Sequence, residues 1–409
     1  MKTNFAASLA LTVSALALST LALSSGAHAA GASDGVVKIG ILNDQSGVYA
    51  DFGGKWSFEA AKMAVEDFGG KVLDVPVEVV TADHQNKADI AANIARKWYD
   101  TEKVDAIMEL TTSSVALAVQ GLSKDLKKIT ITTGAATSDL TGKACTPYGF
   151  HWAYNTRALA VGTGGALVKQ GLKKWFFLTA DYAFGHALEA DTSTFVKKNG
   201  GEVVGAVRHP LATTDYSSFL IQAQASGAQV IGLANAGLDT ANAIKQASEF
   251  GITAGGQKIA ALLFTLAEVH GLGAKAAQGL TLTEGYYWKR DADSEKFARA
   301  FFKRTNRMPN MVQAGTYSAV THYLKAIKKA GTDDADAVTK AMRETPVEDF
   351  FAKSGKVEAN GLMYHDFYLL GVKKEADIKE PWDYFDVLQT ITGKEAYGEV
   401  ADSGCPLVK

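Results

Sequence analysis

Cysteine is nearly absent: two occur in 409 residues, Cys145 and Cys405. Two thiols are too few for a structural zinc site, and no histidine spacing completes one. Proline is also scarce, seven in all, and no Pro- or Ser-rich linker divides the chain. Neither charge sign is in excess, with 42 Lys and Arg against 44 Asp and Glu. That balance argues against nucleic acid, which requires a basic face. Beyond residue 30 no stretch is long and apolar enough to span a bilayer. Catalytic motifs are missing as well. There is no His-Glu-x-x-His zinc pattern and no Gly-x-Ser-x-Gly nucleophile elbow. Gly162-Thr163-Gly164-Gly165 lacks a following Gly-Lys-Ser/Thr, so it is not a phosphate loop and is expected to pack a helix closely against a strand. Asp83-His84 and His365-Asp366 read as polar loop pairs. No cofactor is implied.

What is present begins with an export signal. Lys2 supplies a positive start, residues 5–23 are small or apolar apart from Ser and Thr, and Ala27-His28-Ala29 is a small-x-small cleavage pattern. Ser14, Ser19 and Thr20 interrupt the apolar run, which argues against a membrane anchor. Cleavage is expected near Ala29-Ala30, and loss of Lys2 shifts the formal charge from −2 to −3. Export places Cys145 and Cys405 in an oxidising compartment, where an even pair reads as a disulfide. Two independent thiols remain the alternative at this level.

The remaining chain is long enough for two lobes. Short apolar strands at 36–42, 75–81, 104–110 and 128–133 alternate with helices at 56–68, 89–99 and 114–126. Repeated β-α units predict a parallel sheet with helices on both faces. The pattern restarts with strands at 175–179, 202–207, 229–234 and 259–264, and with helices from Asp215, an N-cap candidate, and at 240–250. Extended stretches at 148–155, 279–288 and 363–372 suggest three crossings between the units. Helices are expected between them at 294–305 and 314–329. The expected architecture is α/β, two similar doubly wound lobes joined by three crossover segments. One lobe takes residues 31–155 and 286–362, the other 156–285 and 363–395, and 396–409 forms a tail tied back by the disulfide.

Seven segments, in order, carry a resemblance. They are Gly40-Ile41-Leu42-Asn43-Asp44-Gln45-Ser46-Gly47 with Phe52-Gly53 after it, Leu110-Thr111-Thr112-Ser113-Ser114, and Gly134-Ala135-Ala136-Thr137 within 133–141. Asp181-Tyr182-Ala183-Phe184-Gly185, Asp215-Tyr216-Ser217-Ser218 and Ala277-Gln278-Gly279-Leu280 complete the set. Over nearly all of the exported chain the sequence resembles the periplasmic leucine/isoleucine/valine-binding proteins, type I substrate-binding proteins of ABC importers. The resemblance implies the type I periplasmic binding fold, a periplasmic location, a hinge that closes on one small ligand, and an inner-membrane ABC permease as partner. A monomer that is not an enzyme is expected, with a periplasmic hydrolase as the rival class.

The expected ligand cleft lies at the carboxyl ends of the strands. Thr112 and Ser113 join hydroxyls to a helix N-terminus, a combination that suits a carboxylate. Ala135 is expected to offer backbone and Thr137 a side chain. Phe52, Tyr182, Phe184 and Phe264 are aromatic candidates, with core packing the plainer role for each. Asn235 and Asp239 are candidates for a ligand bond and a helix cap, in either order. Amino-acid binders of the family carry a Glu near positions 262–264, where this chain has Leu262, Leu263 and Phe264, and Glu268 comes several residues later. A buried ammonium without a partner is costly. The expected ligand is therefore a carboxylate with an aromatic or branched apolar body. Asp181 or Asp239 as a substitute acid keeps an amino acid open, and amides or urea-like solutes remain alternatives.

Overall fold

The structure, a computed structural model, describes residues 31–408. The predicted export signal lies outside the described residues. The chain enters through β1 (Val37–Asn43), α1 (Gly54–Asp67), β2 (Lys71–Val72), β3 (Val75–Asp83), α2 (Ala88–Asp100), β4 (Ala106–Glu109), α3 (Ser113–Asp125), β5 (Ile129–Thr132) and β6 (Gly149–His151). These six strands form one sheet in the order β2-β3-β1-β4-β5-β6, parallel except for β2 against β3. β1 is buried almost end to end because helices cover both faces. On one side α2 turns Ala91, Ala95 and Trp98 inward. A Cβ on Gly40 would lie 2.4 Å from the Trp98 ring, so the indole rests directly on β1.

A second unit follows. α4 (Thr156–Leu159) and α5 (Gly165–Lys169) are joined by a π-helical turn, Ala160–Gly164. Then come β7 (Lys174–Ala180), α6 (Ala183–Lys198), β8 (Glu202–His209), α7 (Ser217–Ala225), β9 (Val230–Ala234), α8 (Gly237–Glu249), β10 (Lys258–Ala261), α9 (Leu266–Leu272) and α10 (Ala274–Ala277). The order β10-β9-β7-β8 is parallel throughout. The chain continues through β11 (Thr281–Glu284), α11 (Ala292–Thr305), α12 (Met311–Ala330), α13 (Ala335–Glu344), β12 (Lys356–Val357), β13 (Met363–Tyr364), β14 (Phe367–Val372), β15 (Phe385–Ile391) and α14 (Gly393–Tyr397). α11 and α12 return to pack on α1, while β11, β14 and β15 make a small antiparallel sheet.

The expected α/β architecture is present, with its parallel sheets. The glycine run does pack a helix on a strand: a Cβ on Gly162 would lie 2.2 Å from Thr283 Oγ1, and Thr163 Oγ1 meets the same oxygen at 2.9 Å. A disulfide joins Cys145 and Cys405, 260 residues apart, and ties the segment after α14 to the loop between β5 and β6. Some boundaries differ from the sequence reading. α8 begins at Gly237 instead of residue 240, because Gly237 adopts φ +61 and turns the chain at once. β10 stops at Ala261, short of Phe264. Asp215 accepts from Ser217 N at 2.9 Å one residue ahead of the helix cap, Tyr216. α6 is not predicted at all; Thr192 polarises its buried stripe of Phe184, Leu188 and Val196.

Candidate functional site

The carboxyl ends of both parallel sheets meet at one pocket. β4 ends at Glu109, and Thr111, Thr112 and Ser113 follow it into α3. β5 ends at Thr132, and Gly134, Ala135 and Ala136 follow. From the second sheet come Tyr182 and Phe184 after β7, Ala236 after β9 and Leu263 after β10. Tyr49 and Phe52 from the β1–α1 loop, and Tyr154 from the segment after β6, complete the lining. The cavity has room for a water-sized sphere over only about 10 Å³, so the walls stand almost in contact. No lining side chain carries a charge.

The β4–α3 connection is bent sharply: Glu109, Leu110 and Thr112 have φ of 76, 54 and 77. Such backbone is costly and persists where surrounding contacts enforce it. Here Glu109 enforces it, accepting from Thr111 N at 2.7 Å and from Thr111 Oγ1. Thr112 occupies the cap position of α3, yet its hydroxyl bonds to Asn86 instead of capping the helix. Ser113 Oγ accepts from Thr137 N at 3.1 Å. The start of α3 thus has no side-chain cap and lies at the pocket wall, an arrangement that favours an anion. Gly134 leaves the floor low: a Cβ there would lie 2.9 Å from the Glu109 carboxyl.

Two aromatic groups close the other sides. Tyr49 Oη and Tyr182 Oη meet at 2.5 Å, one from each parallel-sheet unit. Phe52 stands edge-on to both Tyr49 and Tyr154. Tyr154 Oη donates to Gly134 O at 2.6 Å, fixing the ring over the β5 loop. Behind Phe52, Asn310 Nδ2 donates to Phe52 O at 3.0 Å and to Thr265 Oγ1 at 3.1 Å, while Gln313 Nε2 donates to Phe52 O at 2.7 Å. Leu238 N donates to Val48 O at 3.2 Å, a further link between the units.

Of the ten ligand candidates, Phe52, Thr112, Ser113, Ala135, Tyr182 and Phe184 line this pocket. Ala135 contributes its surface, but its carbonyl is taken by His151 Nε2 at 2.8 Å. Four candidates lie elsewhere. Thr137 turns back to accept from Asp139 N at 3.3 Å, capping the 3-10 turn Ser138–Leu140. Phe264 packs in the core and Leu263 takes the lining position, because adjacent residues of an extended chain face opposite ways. Asn235 is engaged inside the second unit, with Nδ2 3.0 Å from His209 Nε2 and Oδ1 accepting from Thr240 Oγ1 at 2.6 Å. Asp239 sits in the first turn of α8, not at its cap, which is Ala236. Its Oδ2 accepts from Ala212 N at 3.1 Å, and Oδ1 has no hydrogen-bond partner. Burial pushes its carboxyl up to about 6, with the Ala212 amide and Tyr216 acting the other way. Its charge is felt at both Tyr49 and Tyr182. Asp181 is exposed and paired with His186 at 2.8 Å and Arg208 at 3.6 Å.

The lining residues missed from sequence are Tyr49, Thr111, Gly134, Ala136, Tyr154, Ala236 and Leu263. All but Tyr154 lie in or beside segments already singled out, so strand ends are the signal that finds them. Glu268 is not surplus either. It closes a capping box with Thr265 at the start of α9 and is fully buried near Glu284, which accepts from Leu266 N at 3.0 Å and Met311 N at 3.3 Å. Burial pushes both carboxyls up, and each raises the other or has another acid beside it: Glu268 acts on Glu284, and Asp51 on Glu268.

Comparison with known proteins gives a consistent result. A family described as periplasmic binding protein matches residues 36–377. A solved periplasmic binding protein from Burkholderia mallei is 52% identical, with a TM-score of 0.90, covering 92% of this chain and 100% of that one. A branched chain amino acid ABC transporter periplasmic ligand-binding protein from Burkholderia xenovorans is 38% identical, with a TM-score of 0.82, covering 91% and 100%. Leu/Ile/Val-binding protein homolog 6 of Brucella abortus is 32% identical over 197 residues, 47% of this chain and 49% of the relative. The chain spans about half the length of the curated relatives it matches.

Proposed function

Because the chain belongs to the periplasmic binding protein family, we propose that it captures a small carboxylate with an aromatic or branched apolar body in the periplasm and delivers it to an inner-membrane ABC permease. The observation that carries this reading is the composition of the pocket wall. One side offers the uncapped start of α3, the Ser113 hydroxyl and the small Gly134–Ala136 loop, while the Thr111 and Thr112 hydroxyls already donate to Glu109 and Asn86. The other sides offer Phe52, Phe184, Tyr49, Tyr154 and Tyr182 rings with Leu263. Hydrogen bonds to a charged acceptor contribute about 1.5–3 kcal/mol each, and the rings bury the apolar body. Leu263 stands where the resemblance implies an ammonium-binding Glu. The protein works as a monomer of two lobes that close on the ligand, without catalysis; incubation with a bound ligand is expected to leave it chemically unchanged.

A second reading, an amino-acid ligand, is favoured by Asp239. This acid is shielded from solvent, and its charge reaches both Tyr49 and Tyr182. The names of the Brucella and Burkholderia xenovorans relatives point the same way. Calorimetry with matched pairs separates the two: phenylacetate against phenylalanine, and 4-methylpentanoate against leucine. The carboxylate reading expects the plain acids to bind at least tenfold more tightly. If the amino acids bind and the plain acids do not, it fails, and loss of leucine binding in Asp239→Asn would locate the ammonium partner.

A further inference from the structure

We propose that Glu109 takes up a proton from solvent when a carboxylate enters the pocket, so that the site binds its anion together with one proton. This rests on the carboxylate reading above. Glu109 lies directly beneath the pocket floor. Its carboxyl touches two residues of the lining: Thr111, which donates to it twice, and Gly134, whose missing Cβ opens the floor onto it. It is completely buried, and on the far side a Cβ on Gly53 would lie 2.0 Å from Oε1.

Among the described residues no cation pairs with this acid. From α1, Ser57 Oγ donates to Oε1 at 3.5 Å. Asn43, the last residue of β1, lowers the Glu109 pKa through its side chain, and Asp44 just past the strand, a second carboxylate, raises it further. Asp44 is itself held by Gly47 N, Tyr49 N and Asn86 Nδ2. His84, near Thr111, is kept neutral by burial, its pKa pushed down to about 4. Tyr154 faces Glu109 from the segment after β6, and burial suppresses its ionisation. From α12, Thr316 reaches Thr133 and carries no charge. Burial therefore pushes Glu109 up to about 7, with the Thr111 bonds acting the other way.

A bound carboxylate adds a negative charge one layer away. Like charges in a poorly solvated site disfavour one another, so the ligand raises the Glu109 pKa again. Near pH 7.5 the empty site holds Glu109 in part ionised, and the filled site shifts it toward the protonated form. The transfer is from solvent to a Glu109 oxygen, and no other bond changes. Thr111 keeps both bonds throughout, because a single oxygen, Oε2, accepts them.

The test is calorimetry of phenylacetate and 4-methylpentanoate, which stay ionised throughout, in phosphate and in Tris at pH 7.5. The binding heat is expected to differ between buffers by the buffer ionisation heat times an uptake of up to one proton. The Kd is expected to weaken about tenfold between pH 6.5 and 8.5, the equivalent of one pKa unit. Glu109→Gln preserves an oxygen for Thr111 and is expected to bind with equal heats in both buffers and a flat pH profile. Equal heats in the wild type, or a buffer difference that survives in E109Q, overturn the proposal while the carboxylate reading stands. No heat from either acid overturns the reading on which it rests. Should E109Q fail to fold, the wild-type infrared spectrum decides: a protonated-carboxyl band that grows on adding phenylacetate supports the proposal, and an unchanged band overturns it.

Discussion

Tyr49 and Tyr182 reach each other hydroxyl to hydroxyl across the pocket, and neither has another short side-chain partner. Their bond links the two parallel-sheet units, so under the proposed closure on a ligand it favours the closed form. A buried hydrogen bond of this kind contributes about 1 kcal/mol. Tyr182→Phe keeps the ring and removes the bond. Ligand affinity is expected to fall about fivefold, measured by calorimetry, with little change in the melting temperature of the empty protein. An unchanged affinity would show that the pair does not report on closure. At this scale the sequence was a partial guide. Phe52, Thr112, Ser113 and Tyr182 were legible because they stand just past strand ends. Thr137 and Phe264 were not, because a shift of one residue turns an extended side chain to the opposite face. Asn235 was not, because its partner His209 lies 26 residues away on a different strand.

Among the elements, α12 does more than cover the first sheet. Its cap residue Asn310 closes a capping box with Gln313, and the same side chain bridges Phe52 O and Thr265 Oγ1. One amide thus secures a helix start, an aromatic wall of the pocket and the entrance to α9. Asn310→Ala removes the cap and leaves buried acceptors short of a donor. The expected loss is about 2 kcal/mol, the sum of a cap and a buried hydrogen bond, read by urea denaturation. A loss below about 0.5 kcal/mol, typical of surface changes, would refute this role. The helix itself was legible from its apolar spacing, although its start at Met311 and its cap were not. α6 escaped because a buried Thr192 interrupts its stripe.

Across the whole molecule, burial acts on opposing sets of titratable groups. The carboxyls of Asp105, Glu109, Asp191, Asp239, Glu268 and Glu284 are all pushed up. The imidazoles of His84, His151, His209, His270, His322 and His365 are all pushed down. A raised carboxyl favours folding most at low pH and loses that advantage as pH climbs from its unfolded to its folded value. A lowered histidine does the reverse, gaining up to its unfolded value of about 6.5. The two sets offset each other between about pH 4.5 and 6.5, and above that only the carboxyls act. The melting temperature is expected to be level from about pH 5 to 6.5 and to fall from there to about pH 8. A melting temperature that rises over the upper interval would contradict this balance.

By itself the sequence determined the alternation of strands and helices, the α/β class and the strand ends that build the pocket, while the Cys145–Cys405 bond was settled by the structure. Each sequence-determined feature follows from a local rule: side-chain periodicity or the position of a loop after a strand. Only the tertiary structure decided which side chains face the pocket and which acids lie behind it. Tyr154 enters from a crossing segment, and Leu263 displaces Phe264. Glu109, an unremarked strand residue in sequence, becomes a buried charge under the floor because Gly53 and Gly134 leave room on either side of it. Orientation and desolvation depend on atoms brought together from distant parts of the chain, and no window along the sequence contains them.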